Sequence, residues 1–179
     1  MPLRRLLTAL GLRRGGPPRN APQFLQRLQE QLRELGPERL EYLAGFAGQL
    51  ARVAHIEGGI SSAEAAVIAA KLHERAGLAA AEAGIVVELL QHEFDVLRSL
   101  QPYLLNRAVN AHASPEEKGG LIDCLYAVAV ADHLVSEVEE QEIRRVANAL
   151  LVPHSVLMEV RGRYRDRIEA LRPVRSGRA

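Results

Sequence analysis

The chain repeats itself once at an offset of 75 positions: residues 53–64 (VAHIEGGISSAE) align without a gap on residues 128–139 (VAVADHLVSEVE). In both copies an apolar stretch ends in a carboxylate, Glu57 or Asp132, three residues follow, and a Ser-x-x-Glu pattern begins. Ser-x-x-Glu is the signature of a capping box at a helix N-terminus. We therefore predict two similar helix-loop-helix units, called elbow 1 (residues 53–64) and elbow 2 (residues 128–139).

The same register pairs Leu50 with Leu125 and Ile68 with Ile143, so the repeat extends into the helices on both sides of each elbow. Two copies are too few for a solenoid, which needs roughly three or more repeats to bury a continuous core. A compact bundle with pseudo-twofold symmetry is the expected arrangement.

The apolar residues recur at helical spacing along most of the chain, and no segment of four or more residues alternates like a strand. Ala, Leu and Val supply most of the apolar content and there is no Trp, a composition that favours helices. We predict an all-α fold, a bundle of about eight helices built from the two elbow units. The expected helices cover residues 24–35, 37–56, 61–77, 79–100, 102–111, 114–132, 136–150 and 153–171.

Charge is distributed unevenly along the chain, although the formal net charge is only +1. Residues 1–20 carry +5 and residues 161–179 carry +5, whereas residues 21–160 carry −9. With the Gly-Gly-Pro-Pro run at 15–18, this predicts a basic flexible arm (1–20), a helical domain (21–172) and a basic tail (173–179).

Location is predicted from three absences in the sequence. The apolar stretch after Arg5 is minimal for a secretory signal and runs into Arg13. No apolar run approaches the ~20 residues of a transmembrane helix. A single cysteine excludes a disulfide framework and favours a reducing compartment. We expect a cytoplasmic protein, either free or peripheral to a membrane.

Patterns typical of enzymes are incomplete. The His-x-Glu at His55 matches half of a zinc deaminase site, but the required Pro-Cys-x-x-Cys is missing because Cys124 is the only cysteine. Glu88 and His92 lack the paired Glu-x-x-His motifs of a di-iron bundle, so a solvated pair is expected. Cys124 should be a buried, inert thiol. Asp123 is expected on an exposed helix face. We predict no enzymatic activity.

The residues of the second copy carry a resemblance to a known family. The stretch 121–140 (LIDCLYAVAVADHLVSEVEE) and the helix that follows it to residue 150 resemble the TerB-type tellurite-resistance family, which also forms the N-terminal domain of the DjlA membrane co-chaperones. Residues 50–78 form a weaker copy, and the resemblance spans about residues 40–160. It implies an acidic, all-helical, non-enzymatic domain linked to stress or tellurite resistance.

The resemblance also implies that four carboxylates hold a divalent cation: Glu57 and Glu64 in elbow 1, Asp132 and Glu139 in elbow 2. The family usually has Asp followed by Gly at this turn. This chain has Glu57 in the first copy and His133 in place of Gly in the second. A carboxylate beside His133 could bring its titration into the physiological range, so His133 is a further candidate.

A structural role competes with the ligand role. Glu64 and Glu139 stand three residues after Ser61 and Ser136, where a carboxylate caps the helix and gains about 0.3–1 kcal/mol from the helix dipole. The same dipole opposes a cation, and calcium or magnesium needs about six or more oxygen ligands. Capping and binding both remain open at this point.

Two functions from different classes follow. The first is a TerB-like domain whose elbows bind calcium, magnesium, manganese or zinc, or a protein partner, which could lie at a membrane. The alternative is a protein that associates with nucleic acid or an anionic membrane through its Arg-rich termini. Nucleic acid is disfavoured, because the body is acidic and shows no aromatic platform or recognition-helix motif.

Overall fold

The computed structural model describes residues 30, 32, 35–54, 59–92, 102–131 and 134–168. Within these residues the protein has seven α-helices and no β-strand, which confirms the all-α class. The helix expected over residues 24–35 lies almost wholly outside the described residues, so the described count is seven where about eight were expected. The helices are α1 (Pro37–Ala54), α2 (Ser62–Ala76), α3 (Ala80–His92), α4 (Pro102–His112), α5 (Pro115–Ala129), α6 (Glu137–Ala149) and α7 (His154–Arg163).

The centre of the bundle is formed by α1 and α5, the two helices that precede the elbows. Every residue from 42 to 51 in α1 and from 121 to 126 in α5 is buried. Helices buried on all sides are core helices. By contrast, α2 is buried on a single stripe with four-residue spacing: Glu64, Ile68, Leu72 and Ala76.

Residues paired by the sequence repeat have equal burial. Leu50 and Leu125 are both 0% exposed, and so are Ile68 and Ile143. The repeat register therefore pairs core positions with core positions, as expected if both units use the same face. The twofold relation between the two units stays a prediction.

Helix α4 packs antiparallel against α1. His112, at the end of α4, contacts Glu41 near the start of α1, with Nε2 and Oε2 2.9 Å apart. The helices approach closely at Gly45, where an added Cβ would lie 2.9 Å from the carbonyl oxygen of Leu105. Glycine is required there by the neighbouring backbone and not by its own dihedral angles.

The last helix is shorter than expected, so the prediction of a helix to residue 171 is wrong. Helix α7 ends at Arg163 and is followed by the 3₁₀ turn Arg165–Arg167. Ile168 then forms a parallel β-bridge with Val135 in elbow 2. The backbone N–H of Val135 donates to the carbonyl of Arg167 at 2.8 Å. Tertiary pairing with the elbow thus replaces the last turns of the helix.

Among the described residues, no helix is both long and apolar enough to cross a membrane. The basic arm and the basic tail lie outside the described residues. The alternative function through the Arg-rich termini therefore stays a prediction.

Candidate functional site

Elbow 1 ends in a complete capping box at the start of α2. The backbone N–H of Glu64 donates to Ser61 Oγ at 3.1 Å. In return, the backbone N–H of Ser61 donates to Glu64 Oε2 at 2.8 Å. Glu64 is 5% exposed, so its carboxylate is held against the protein by the cap.

Elbow 2 has the same device at the start of α6. The backbone N–H of Glu139 donates to Ser136 Oγ at 3.3 Å. Both the backbone N–H and the hydroxyl of Ser136 donate to Glu139 Oε2, each at 2.9 Å. Glu139 is 4% exposed. The two capping boxes predicted from the repeat are confirmed, and they fix the two carboxylates that the sequence repeat pairs.

The other elbow residues singled out in the sequence, Glu57, Asp132 and His133, lie outside the described residues. The structure therefore places two of the four predicted metal ligands, Glu64 and Glu139, and gives both a capping role. Within the described ranges, no group of three or more His, Cys, Asp or Glu side chains is arranged to hold a metal ion.

A third capping box shows that this device is not specific to the elbows. At the start of α5 the backbone N–H of Ser114 donates to Glu117 Oε2 at 2.8 Å. The backbone N–H of Glu117 donates to Ser114 Oγ at 3.2 Å. This helix start was also expected from the sequence. A Ser-x-x-Glu pattern alone thus indicates a helix start and not a binding site.

Elbow 2 is held by the segment that follows α7. Arg167 Nη2 donates to the carbonyl of Val130, just after the end of α5, at 3.1 Å. Together with the Val135–Ile168 bridge, this contact ties both sides of elbow 2 to residues 167–168. The guanidinium places a positive charge beside the acidic elbow, and sequence spacing gave no indication of it.

Asp123 corrects a sequence expectation: it is buried, 9% exposed, and does not lie on an exposed face. Arg163 Nη1 donates to Asp123 Oδ1 at 3.3 Å, and the hydroxyl of Tyr164 donates to the same oxygen at 3.2 Å. Arg75 Nη2 lies 3.9 Å from Oδ2. Burial raises the pKa of Tyr164, and the neighbouring Asp123 raises it further.

A groove opens beside Asp123, between α5 and α7. Its volume is about 450 Å³. Arg75 and Arg163 stand at the Asp123 end, while Glu116 and Pro153 lie in the wall near the helix starts. No sequence pattern identifies these residues as a group, because they come from three helices with no common spacing.

An ion cluster around the buried Glu140 joins α6 to α7 near elbow 2. Glu140 is 5% exposed and accepts hydrogen bonds from Arg161 and, at 2.9 Å, from Arg144 Nη2. Burial raises the pKa of Glu140, but the hydrogen bonds and charges of the two arginines outweigh burial, and the resulting pKa is below the ordinary value. The cluster stabilises the first turns of α6.

Two side chains considered in the sequence as chemical groups have structural environments. Cys124 is fully buried, and burial raises its pKa to about 12. It is therefore protonated at neutral pH, as expected for an inert thiol. Glu88 and His92 are exposed, and His92 Nδ1 lies 2.8 Å from the backbone carbonyl of Glu88. The expectation of a solvated pair is confirmed.

The comparison with known protein families decides the identity of the fold. The model of the tellurite resistance protein TerB family matches residues 44–161, well over half of the chain. The chain belongs to the TerB family. The match includes both elbows and most of α7, and it confirms the resemblance given by the sequence. No curated protein and no solved structure matches the chain.

Proposed function

We propose that this TerB-family chain is a non-enzymatic binding domain whose two acidic elbows bind a divalent cation, or present the same carboxylates to a protein partner. The observation that carries the proposal is the combination of two features in both copies: the loop sequence contains a carboxylate, Glu57 or Asp132, and the loop ends at a buried capping glutamate, a combination that the start of α5 does not have. A cap fixes the end of the loop that precedes it, and in both copies that loop contains a further carboxylate.

In this proposal the elbow carboxylates have different roles. Glu64 and Glu139 hold the loop through their capping bonds, and Glu57 and Asp132 are the carboxylates that meet the ion or the partner. A hard cation needs about six oxygens, so backbone carbonyls and water would complete its shell. The helix dipoles oppose the cation, and the acidic charge of the body favours it.

The environment of the only thiol supports a non-enzymatic role. Cys124 is buried and has a raised pKa, which argues against thiolate chemistry. The TerB family also connects the chain with tellurite resistance. We propose that it acts in a stress response in the cytoplasm, with a protein partner that could lie at a membrane in the manner of a co-chaperone.

Isothermal titration of the full-length chain with calcium, magnesium, manganese and zinc tests the cation. The informative variant is Glu57→Gln with Asp132→Asn, which removes one carboxylate from each elbow. The matched control is Glu74→Gln with Glu88→Gln, which removes the same charge from exposed positions on α2 and α3. Saturable binding that the control keeps and the elbow variant loses would support the cation proposal.

No heat with any ion, in a sample shown to be folded, would contradict cation binding and leave the partner. Quantitative affinity capture from the source cells then compares the wild type with the same two variants. A protein lost only with the elbow variant would support partner recognition through the carboxylates. Identical capture by all three proteins would contradict it.

A further inference from the structure

We propose that the groove between α5 and α7 is a second binding site, separate from the elbows, which takes a side-chain carboxylate of an acidic peptide between Arg75 and Arg163. The two guanidiniums are positioned by one buried carboxylate, Asp123. The proposal does not depend on cation binding by the elbows.

The groove has a shape suited to a peptide segment. Its volume is about 450 Å³, and Gly119 and Gly120 of α5 form part of its wall. An added Cβ at Gly119 would lie 3.2 Å from Val156 Cγ1, so this glycine lets α7 approach α5. At Gly120 an added Cβ would meet only Arg75 Cδ, at 4.0 Å, so packing does not demand a glycine there. Each glycine that replaces alanine inside a helix lowers the stability of the helix by up to about 1 kcal/mol. Gly119 and Gly120 therefore open the groove wall at a cost in the stability of α5.

Asp123 organises the charged end of the groove. Its oxygen Oδ1 accepts from Arg163, and its oxygen Oδ2 faces Arg75 at 3.9 Å. The Asp123 side chain is 13% exposed, whereas those of Arg75 and Arg163 are 50% and 53% exposed. The aspartate is therefore an internal anchor, and about half of each arginine side chain is open to solvent.

The N–H donors of Arg75, which form no hydrogen bond to the described residues, favour an anionic ligand at this end of the groove. A guanidinium has five N–H donors in a planar fork that matches a carboxylate. Within the described residues Arg75 forms an ion pair but no hydrogen bond, because 3.9 Å is beyond hydrogen-bonding distance. A carboxylate seated between the two arginines would use these donors in charge-assisted bonds.

Glu159 occupies part of this position in the free protein. Its Oε1 accepts from Arg163 Nη2 at 2.7 Å, and its side chain is 69% exposed. Exposed pairs four residues apart on a helix are weak, so a ligand carboxylate can displace it. Glu116 also lines the groove and, within the described residues, forms no ion pair with Arg75 or Arg163.

The rest of the lining explains why a peptide fits better than a small anion. Val156, Val160, Pro115 and Pro153 give the groove an apolar wall next to the arginines. An acidic side chain with an apolar neighbour would fill both parts, whereas a lone oxyanion would leave the apolar wall in water. Apolar contact together with a few polar anchors is typical of ligand grooves.

The test is an NMR titration of the isotope-labelled full chain with an acetylated, amidated eight-residue peptide of alternating Leu and Glu. Its Leu and Gln counterpart and sodium phosphate are the comparison ligands. We expect saturable amide shifts at Gly119, Gly120 and Arg163 with the Glu peptide and none with the Gln peptide. Equal shifts with the Gln peptide, saturation by phosphate at a lower concentration, or no saturable shift at these amides would overturn the proposal.

Single substitutions test whether the charges of the groove, and not the fold alone, determine binding of the peptide. Arg75→Gln should weaken binding of the Glu peptide by about tenfold, as expected for the loss of a charge-assisted pair, and Glu159→Gln should strengthen it. Arg107→Gln, at an exposed position on α4, is the matched control and should leave the affinity unchanged. An affinity unaffected by Arg75→Gln would contradict the site even if the peptide binds elsewhere.

Discussion

Val135 and Ile168 form a parallel β-bridge, and both side chains are fully buried. Val135 lies directly before Ser136, the cap residue of α6. After α7 the chain therefore returns to elbow 2, where Ile168 holds Val135, the residue just before the cap of α6. Within the described residues this is the only β-bridge, and none is found beside elbow 1.

We predict that truncation of the chain after residue 164, which keeps Tyr164 and its contact with Asp123, loosens elbow 2 selectively. The backbone N–H of Val135 donates to Arg167, so it should lose its protection against hydrogen exchange in the truncated protein. The amide of Ile68 in the core of α2 should keep its protection. Exchange of Val135 as slow as in the full chain would show that the bridge does not hold the elbow.

Because α4 approaches α1 closely at Gly45, a larger side chain at this position should destabilise the protein. Gly45→Ala should lower the free energy of unfolding by about 1–3 kcal/mol, because the new methyl group meets the backbone oxygen of Leu105 at 2.9 Å. Gly84→Ala on α3 has nothing within 4 Å and should raise the stability by up to about 1 kcal/mol. Urea unfolding of both variants measures these effects, and an equal change in the two would contradict the packing argument.

The Glu140 cluster should give a pH-dependent contribution to stability. The pKa of Glu140 is lowered in the folded protein, so its contribution is present above the unfolded pKa and is lost as pH falls through the folded pKa. Glu140→Gln should cost about 1.5–3 kcal/mol near neutral pH, the range for hydrogen bonds to charged groups. Urea unfolding should show this difference between wild type and variant shrinking below about pH 4. The control Glu88→Gln, at an exposed site, should show little change at any pH.

Cys124 should resist thiol reagents in the native protein. Its burial and its pKa of about 12 leave almost no thiolate at pH 8. We expect no reaction with a disulfide reagent under native conditions and the full release of one equivalent in denaturant. Rapid labelling of the folded protein would contradict the buried position of this helix face.

The parts of the fold that depend on local chemistry were predictable from the sequence. The helix starts at Ser61, Ser114 and Ser136 follow from the interaction of a serine and a glutamate three residues apart. This interaction needs no distant partner. Burial of positions such as Leu50 and Leu125 is likewise predictable, because helical periodicity is a local pattern of apolar residues.

The predictions that were wrong concern residues whose contacts are with distant parts of the chain. Ile168 continues the four-residue spacing of Val160 and Tyr164, which predicts a longer helix. The structure buries Ile168 as that pattern implies, but through the bridge to Val135. An acid that interrupts an apolar stretch predicts an exposed face for Asp123, whereas the partner that accompanies its burial, Arg163, lies 40 residues further along the chain. No local pattern links these two residues.

The most direct test of the central claim locates cations on the isotope-labelled full chain by NMR, with calcium, magnesium and zinc read by amide shifts and manganese by paramagnetic broadening. If the acidic elbows form the site, the amides of Ser61 and Ser136, which donate to the capping glutamates, should change first. These changes should disappear in Glu57→Gln with Asp132→Asn. Effects spread evenly over exposed acids such as Glu74 and Glu88, and unchanged in that variant, would contradict cation binding by the elbows.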